Sequence, residues 1–163
     1  MTENPYTFLQ KKIFTTSLNN YLMRTQTPCF IVNHFAHIYF IAEIAKKTSY
    51  IIQNTQKIAP CVYLLSPPNA ITYIGVRWWL SFINKAVDIL HQYSVIHILD
   101  CFDHAGLAMA SLRMGQKHIF FESKSSQFNT IQNRAQTLGA TIWHTKPNTF
   151  NLLDLNFKYN HLI

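Results

Sequence analysis

The stretch VIHILDCFDHAGLAMASLRMGQKHIFFE, residues 95–122, decides the fold. Its opening run, Val95 to Asp100, is apolar on both alternating faces, the pattern of a strand covered on both sides. Ala105, Ala108, Met109 and Leu112 then recur at helical spacing, and Gly115 stands where a helix needs its terminating glycine. His118 to Glu122 is a second short apolar run. Antiparallel neighbours need only a tight turn between them, whereas a helix separates these two runs, so they are expected to lie parallel.

The same unit recurs on either side. CFIVN at 29–33, CVYLL at 61–65 and TIWH at 141–144 read as further strands, so strand starts fall at 29, 61, 95, 118 and 141. Between them run helical stripes: Phe40, Ile41 and Ile44 within 36–50; Ile71, Ile74, Trp78, Phe82, Ala86, Ile89 and Tyr93 across 70–93; and Phe128, Ile131, Ala135 and Leu138, closed by Gly139. The order predicts an α/β fold with a mainly parallel five-stranded sheet, right-handed crossovers and helices on both faces. Residues 29–146 form the core of a single domain, 1–28 an N-terminal arm, and 147–163 a C-terminal extension whose Leu152, Leu153, Leu155 and Phe157 can dock on the body. Five strands cannot close an eight-stranded barrel, so the expectation is a half-barrel or an open Rossmann-like sheet.

Composition narrows the function classes. The chain has 163 residues, of which 48% are hydrophobic and 13% charged, too apolar for a disordered chain. A net charge of +7 favours an anionic ligand, yet the 14 Lys and Arg are scattered without a basic run, so nucleic acid is not the expected partner. Cys29, Cys61 and Cys101 are odd in number and set in apolar runs, the pattern of reduced thiols in a cytoplasmic protein. The start MTENPYTFLQKK lacks the form of a secretory signal, and no apolar run reaches the length of a bilayer span, so no membrane role is expected.

In a parallel sheet every strand ends at one edge, where ligands of such folds bind. The residues following each strand therefore form a set: Asn33, His34 and His37; Ser66 to Asn69; Asp100 to His104; Glu122 to Lys124; and His144 to Lys146. Of the seven acids in the chain, Asp100, Asp103 and Glu122 fall here. Asp100, Asp103 and His104 are the candidate acid and base groups, with Ser66, Asn69, Gly106, Glu122 and Ser123 as candidate ligand contacts. Asp100 equally suits the capping of backbone donors. Ser66-Pro67-Pro68-Asn69 reads as a rigid turn in which Asn69 caps the long helix. Cys101 beside His104 has the makings of a thiolate nucleophile, but the flanking carboxylates oppose ionisation, and a buried thiol is the better reading. His34 and His37, with Asp103 and His104, are metal-ligand types at workable spacing, but their convergence depends on strand order, and no metal is assigned. His97 and His118 read as core histidines paired to backbone, and His91 and His161 as surface residues.

The run from Leu99-Asp100 through Gly106 and Gly115 to Glu122 resembles the first βαβ unit of class I methyltransferases, which implies S-adenosylmethionine held between the strand-end acid and Glu122. The glycine signature of that family is reduced here to Gly106. Ala105 to Gly115 followed by His118 to Glu122 also resembles the βα units of phosphate-binding TIM barrels and keto-deoxy-phosphogluconate aldolase relatives, although no lysine occupies a strand interior. Across SPPNA, the helix carrying Trp78-Trp79, and ILDCFDHAG, the chain is similar to small bacterial α/β proteins, a likeness that implies no activity. No dinucleotide fingerprint is present, so hydride transfer is not expected, and no cofactor is assigned.

Two function classes follow. One is a domain binding a small anionic metabolite at the carboxyl edge, with acid/base work by His104. The other is a non-catalytic module, a homo-dimer or a partner-binding protein, in which Trp78, Trp79 and Phe82 extend into an interface. Successive helical residues diverge by about 100°, so the two tryptophans cannot both face the sheet.

Overall fold

The computed structural model describes residues 5–47 and 61–153. In chain order these form α1 (Pro5–Arg24), β1 (Cys29–Ile31), α2 (Phe35–Lys47), β2 (Cys61–Leu65), a 3₁₀ turn (Ala70–Thr72), α3 (Gly75–Ile89), β3 (Ser94–Asp100), α4 (Ala105–Arg113), β4 (His118–Phe120), α5 (Phe128–Thr137), β5 (Thr141–Trp143) and β6 (Phe150–Asn151). The fold is α/β, and every strand pairs in parallel, in the order β5-β4-β3-β2-β1-β6. The five expected strands are all present, and the C-terminal extension supplies a sixth. The sheet is open, with β5 at one edge and β6 at the other.

From β1 to β5 each new strand is added on the same side of the one before. Connections of uniform hand then place every crossover helix on one face of the sheet. The core agrees. Leu18 and Leu22 of α1, Ile38 and Ile41 of α2, Trp79 and Ile83 of α3, Leu112 of α4 and Ile131 of α5 join a single cluster with Phe30, Leu64, Leu99 and Ile119 from the strands. The alternate strand residues, Cys29, Leu65, Ile98 and Phe120, form a second cluster with Ile31, Tyr63 and Trp143, to which no described helix contributes. Helices on both faces, expected from strands apolar on each side, are therefore corrected to helices on one face among the described residues. On the other face, the Tyr63 and Trp143 rings meet edge to face at 5.5 Å, reaching over β3 and β4.

Three further expectations are revised. Residues 70–93 do not form one helix, because Gly75 has φ 70 and a left-handed residue cannot propagate a right-handed helix. Part of the segment read as an N-terminal arm is a helix whose Leu18 and Leu22 enter the core. Phe82 does not reach an interface: it is buried, and Trp79 beneath the helix is fully buried, leaving Trp78 as the exposed member, stacked on Phe82 at 5.2 Å. His161, Leu155 and Phe157 lie outside the described residues. Leu152 is fully buried, and Leu153 is partly exposed.

The route from β5 to β6 is the least expected feature. Seven residue steps separate Trp143 from Phe150, yet the two strands sit at opposite edges, five spacings apart. Five spacings make about 24 Å, close to the full reach of such a segment, so the connection has little slack. It crosses the side on which no described helix packs, where Lys146 meets Asp100 of β3 and lies over the Phe120 ring of β4 at 4.5 Å. Its far end is tied to α1. The Tyr21 hydroxyl accepts the Cys29 N–H at 2.7 Å and lies within donating distance of the carbonyls of Cys29 and Asn148, at 3.0 and 2.9 Å. Burial pushes this phenol up to about 12. Tyr21→Phe leaves the Cys29 N–H without this partner and unties the strap, so urea unfolding should report a loss of about 1–3 kcal/mol. An unchanged midpoint would mean the strap is not anchored there.

Candidate functional site

The carboxyl edge is organised around the ends of β2 and β3. Pro67 and Pro68 have no N–H, so the chain leaving β2 cannot continue the ladder as a donor. Ser66 extends it instead: its N–H donates to the Ile98 carbonyl at 3.0 Å, and its hydroxyl accepts the Asp100 N–H at 2.8 Å. Both Ser66 and Asp100 are fully buried. The Asp100 carboxylate accepts the Phe102 N–H through Oδ1 at 3.0 Å. Its Oδ2 lies 2.5 Å from Lys146 Nζ, an ion pair without the alignment of a hydrogen bond. A buried carboxylate without such partners would be costly, and here the two oxygens are divided between a turn and the strap.

This arrangement holds Phe102 in the left-handed region, φ 46. Its carbonyl accepts the Glu122 N–H at 2.7 Å, so the peptide groups on both sides of the residue are engaged. A bulky residue there stores about 1–3 kcal/mol of strain, which the surrounding bonds must over-determine. Asn69, at the end of the neighbouring strand, is also left-handed at φ 56. It makes no side-chain cap, so it does not start the long helix as expected, and its buried Oδ1 accepts no hydrogen bond. Tyr73 donates to the Pro68 carbonyl at 3.3 Å. Burial, and secondarily the Asp100 charge, raise this phenol above its usual range.

The remaining candidates separate by environment. Asp103 and His104 are solvent-accessible and 3.9 Å apart, immediately before α4. Glu122 serves its own turn, its Oε1 accepting the Lys124 N–H at 3.2 Å and lying 3.4 Å from the Ser123 hydroxyl. Gly106 lies inside α4 with open space where a Cβ would stand, so nothing in the packing requires glycine. The structure thus joins Ser66, Asp100, Phe102 and Glu122 through hydrogen bonds. The three acids do not form one set of free carboxylates: Asp100 is enclosed and neutralised, Asp103 is exposed, and Glu122 caps its own loop.

Cys101 is fully buried, with Sγ 3.9 Å from the Ser111 hydroxyl, and burial pushes its thiol up to about 12, the reverse of nucleophile activation. The Nδ1 atoms of His34 and His37 accept the N–H groups of Ala36 and Asn33, which fastens the start of α2. Among the described residues no group of three or more His, Cys, Asp and Glu is placed to hold a metal ion. His97 and His118 pair with side chains rather than with backbone: Gln116 Nε2 lies 3.3 Å from His97 Nδ1, and Trp143 Nε1 donates to His118 Nδ1 at 3.4 Å. Among the described residues no helix is long and apolar enough to cross a membrane. No family model matches the chain, and no curated protein matches it significantly.

Phe102 and Lys146, which have the largest roles here, carry no signal of those roles in the sequence. Lys146 sits in the set following the last strand, but its partner is two strands away and only the strap brings them together. Phe102 reads as one more apolar residue until its backbone angle is known.

Two predictions follow from these environments. Lys146→Met keeps the stem over Phe120 and removes the charge, leaving Asp100 uncompensated. Discounted for the lysine's partial exposure, the loss should be about 1–3 kcal/mol in urea unfolding, and Asp100→Asn added to Lys146→Met should recover part of it. Additive losses in the double variant would dismiss the coupling. Separately, burial lowers His37 and His97 from the usual 6.5 to about 4 each, with the charges of His34 and His118 as secondary causes. On acidification the unfolded chain takes up protons first, so the stability tied to these neutral rings is complete above 6.5 and drains between 6.5 and about 4. His97→Gln should flatten the slope of unfolding free energy against pH in that window, and an unaltered slope would rule out His97 as a source.

Proposed function

We propose that the carboxyl edge between the ends of β2 and β3 binds a small anionic metabolite. The single observation carrying this reading is that Asn69 and Phe102, the only non-glycine residues with positive φ among those described, lie in the segments that leave these two adjacent central strands. Strain concentrates where a fold must present groups in fixed directions, and the carboxyl edge of a parallel sheet is where ligands of such folds bind. Helix α5 begins at this edge with no side-chain cap and no acid in its first turn, which favours a negative group there, whereas Asp103 stands directly before α4. In this reading His104 serves as acid or base with Asp103 as its orienting partner, while Ser66 and Asp100 position the turn rather than touch the ligand. Gly106, Glu122 and Ser123 line the flank.

The test is a thermal-shift series with sugar phosphates, nucleotides, S-adenosylmethionine and divalent cations. A saturating ligand of the proposed class should raise the melting midpoint by about 5 °C or more, with the gain reduced in Asp103→Asn and His104→Gln. No shift with any anion in the wild-type protein would remove the reading, and a shift with S-adenosylmethionine alone would favour that ligand. A second reading, a non-catalytic homo-dimer, is favoured by one observation, the exposure of 44% of Trp78 on α3. Sedimentation of wild type and Trp78→Ala distinguishes it: a dimer lost in the variant supports an interface there.

A further inference from the structure

Phe102 carries two costs at once. It is a bulky residue at φ 46, and its side chain is left 44% exposed instead of being folded into the core. Neither cost is needed to turn the chain, since a glycine would make the same turn without strain. The turn is also held firmly, with the Phe102 N–H on Asp100 and its carbonyl on the Glu122 N–H. A ring held in a strained, fixed and solvent-facing position is a ring on display.

Its surroundings indicate for what. Tyr73 and Leu107 are exposed from the neighbouring turn and from the first turn of α4. Beside them is the polar pair Asp103 and His104. The 3₁₀ turn that Asn69 and Tyr73 flank packs against both β3 and α4, so these groups belong to one part of the edge. Two exposed rings and one leucine among polar groups make a small platform, which suits a small planar molecule better than a protein patch, since that would need a wider apolar area. We infer that the metabolite is a phosphorylated heteroaromatic compound of nucleotide type, whose base stacks on Phe102. Its phosphate is held by the anion-binding edge proposed above. This rests on the reading of the edge given above and specifies its ligand.

Titration calorimetry with adenosine monophosphate and ribose phosphate, which lacks the base, tests it on the full chain. Wild type should bind adenosine monophosphate about tenfold or more tighter than ribose phosphate, since stacking on an aromatic side chain contributes at that level. Phe102→Leu should abolish the difference and leave ribose phosphate unaffected. Phe102→Gly, which also relieves the left-handed strain, should do the same in a fold at least as stable. Equal affinities in wild type, or unaltered adenosine monophosphate binding in both variants, would overturn the stacking inference while the anion-binding edge stands. Binding of neither compound would overturn both. A short oligoadenylate binding about tenfold tighter than the mononucleotide would assign the base to a nucleic-acid strand and overturn the metabolite form of the inference.

Discussion

The enclosed carboxylate of Asp100 joins three parts of the chain that sequence keeps apart. Its backbone N–H is bonded to Ser66 from the end of β2, one oxygen holds the turn at Phe102, and the other is paired with Lys146 of the strap. A charge at zero exposure is tolerated only with such compensation, so each partner is constrained by the cost of leaving the carboxylate alone. The left-handed turn at Phe102 and the position of the strap both depend on one buried carboxylate, while Ser66 carries the β2–β3 ladder to the Asp100 N–H before the two prolines end it.

A second constraint is directional. Strands added always on the same side, joined by crossovers of one hand, leave the opposite face of the sheet without helices among the described residues. The apolar residues on that face still require cover, and part of it comes from Tyr63 and Trp143, with the connection from β5 to β6 laid across. The connection has almost no spare length, which explains why its anchors are specific side chains, Lys146 near the centre and the Tyr21 hydroxyl at the far end. The strap therefore links the face of Tyr63 and Trp143 to the carboxyl edge through Asp100.

Much of the body was legible because local patterns and tertiary packing agree. Gly115 and Gly139 end α4 and α5 at φ 92 and 61, as their positions after apolar stripes implied. The strand ends were found because apolar runs stop at polar residues, and these ends do share an edge. The reading failed where one residue type has two causes. An apolar strand face signals burial but not what buries it, so helices were assigned to a face that has none among the described residues. Asn69 looks like a cap because asparagine caps helices, yet asparagine also tolerates left-handed backbone, and Gly75 moves the helix start five residues on. His97 and His118 were recognised as buried, but their partners are Gln116 and Trp143, which become neighbours only through the sheet.

What the sequence determined by itself is the alternation of strands and helices, their parallel arrangement and the edge where polar residues collect, since each follows from spacing along the chain and from the reach of a crossover. Only the tertiary structure decided which carboxylate is enclosed and which is exposed, which tryptophan is buried, and that the chain crosses the whole sheet to add its last strand. Those outcomes depend on contacts between residues far apart in the chain. Burial and charge compensation are properties of a site rather than of a residue, and a site exists only once the strands are side by side.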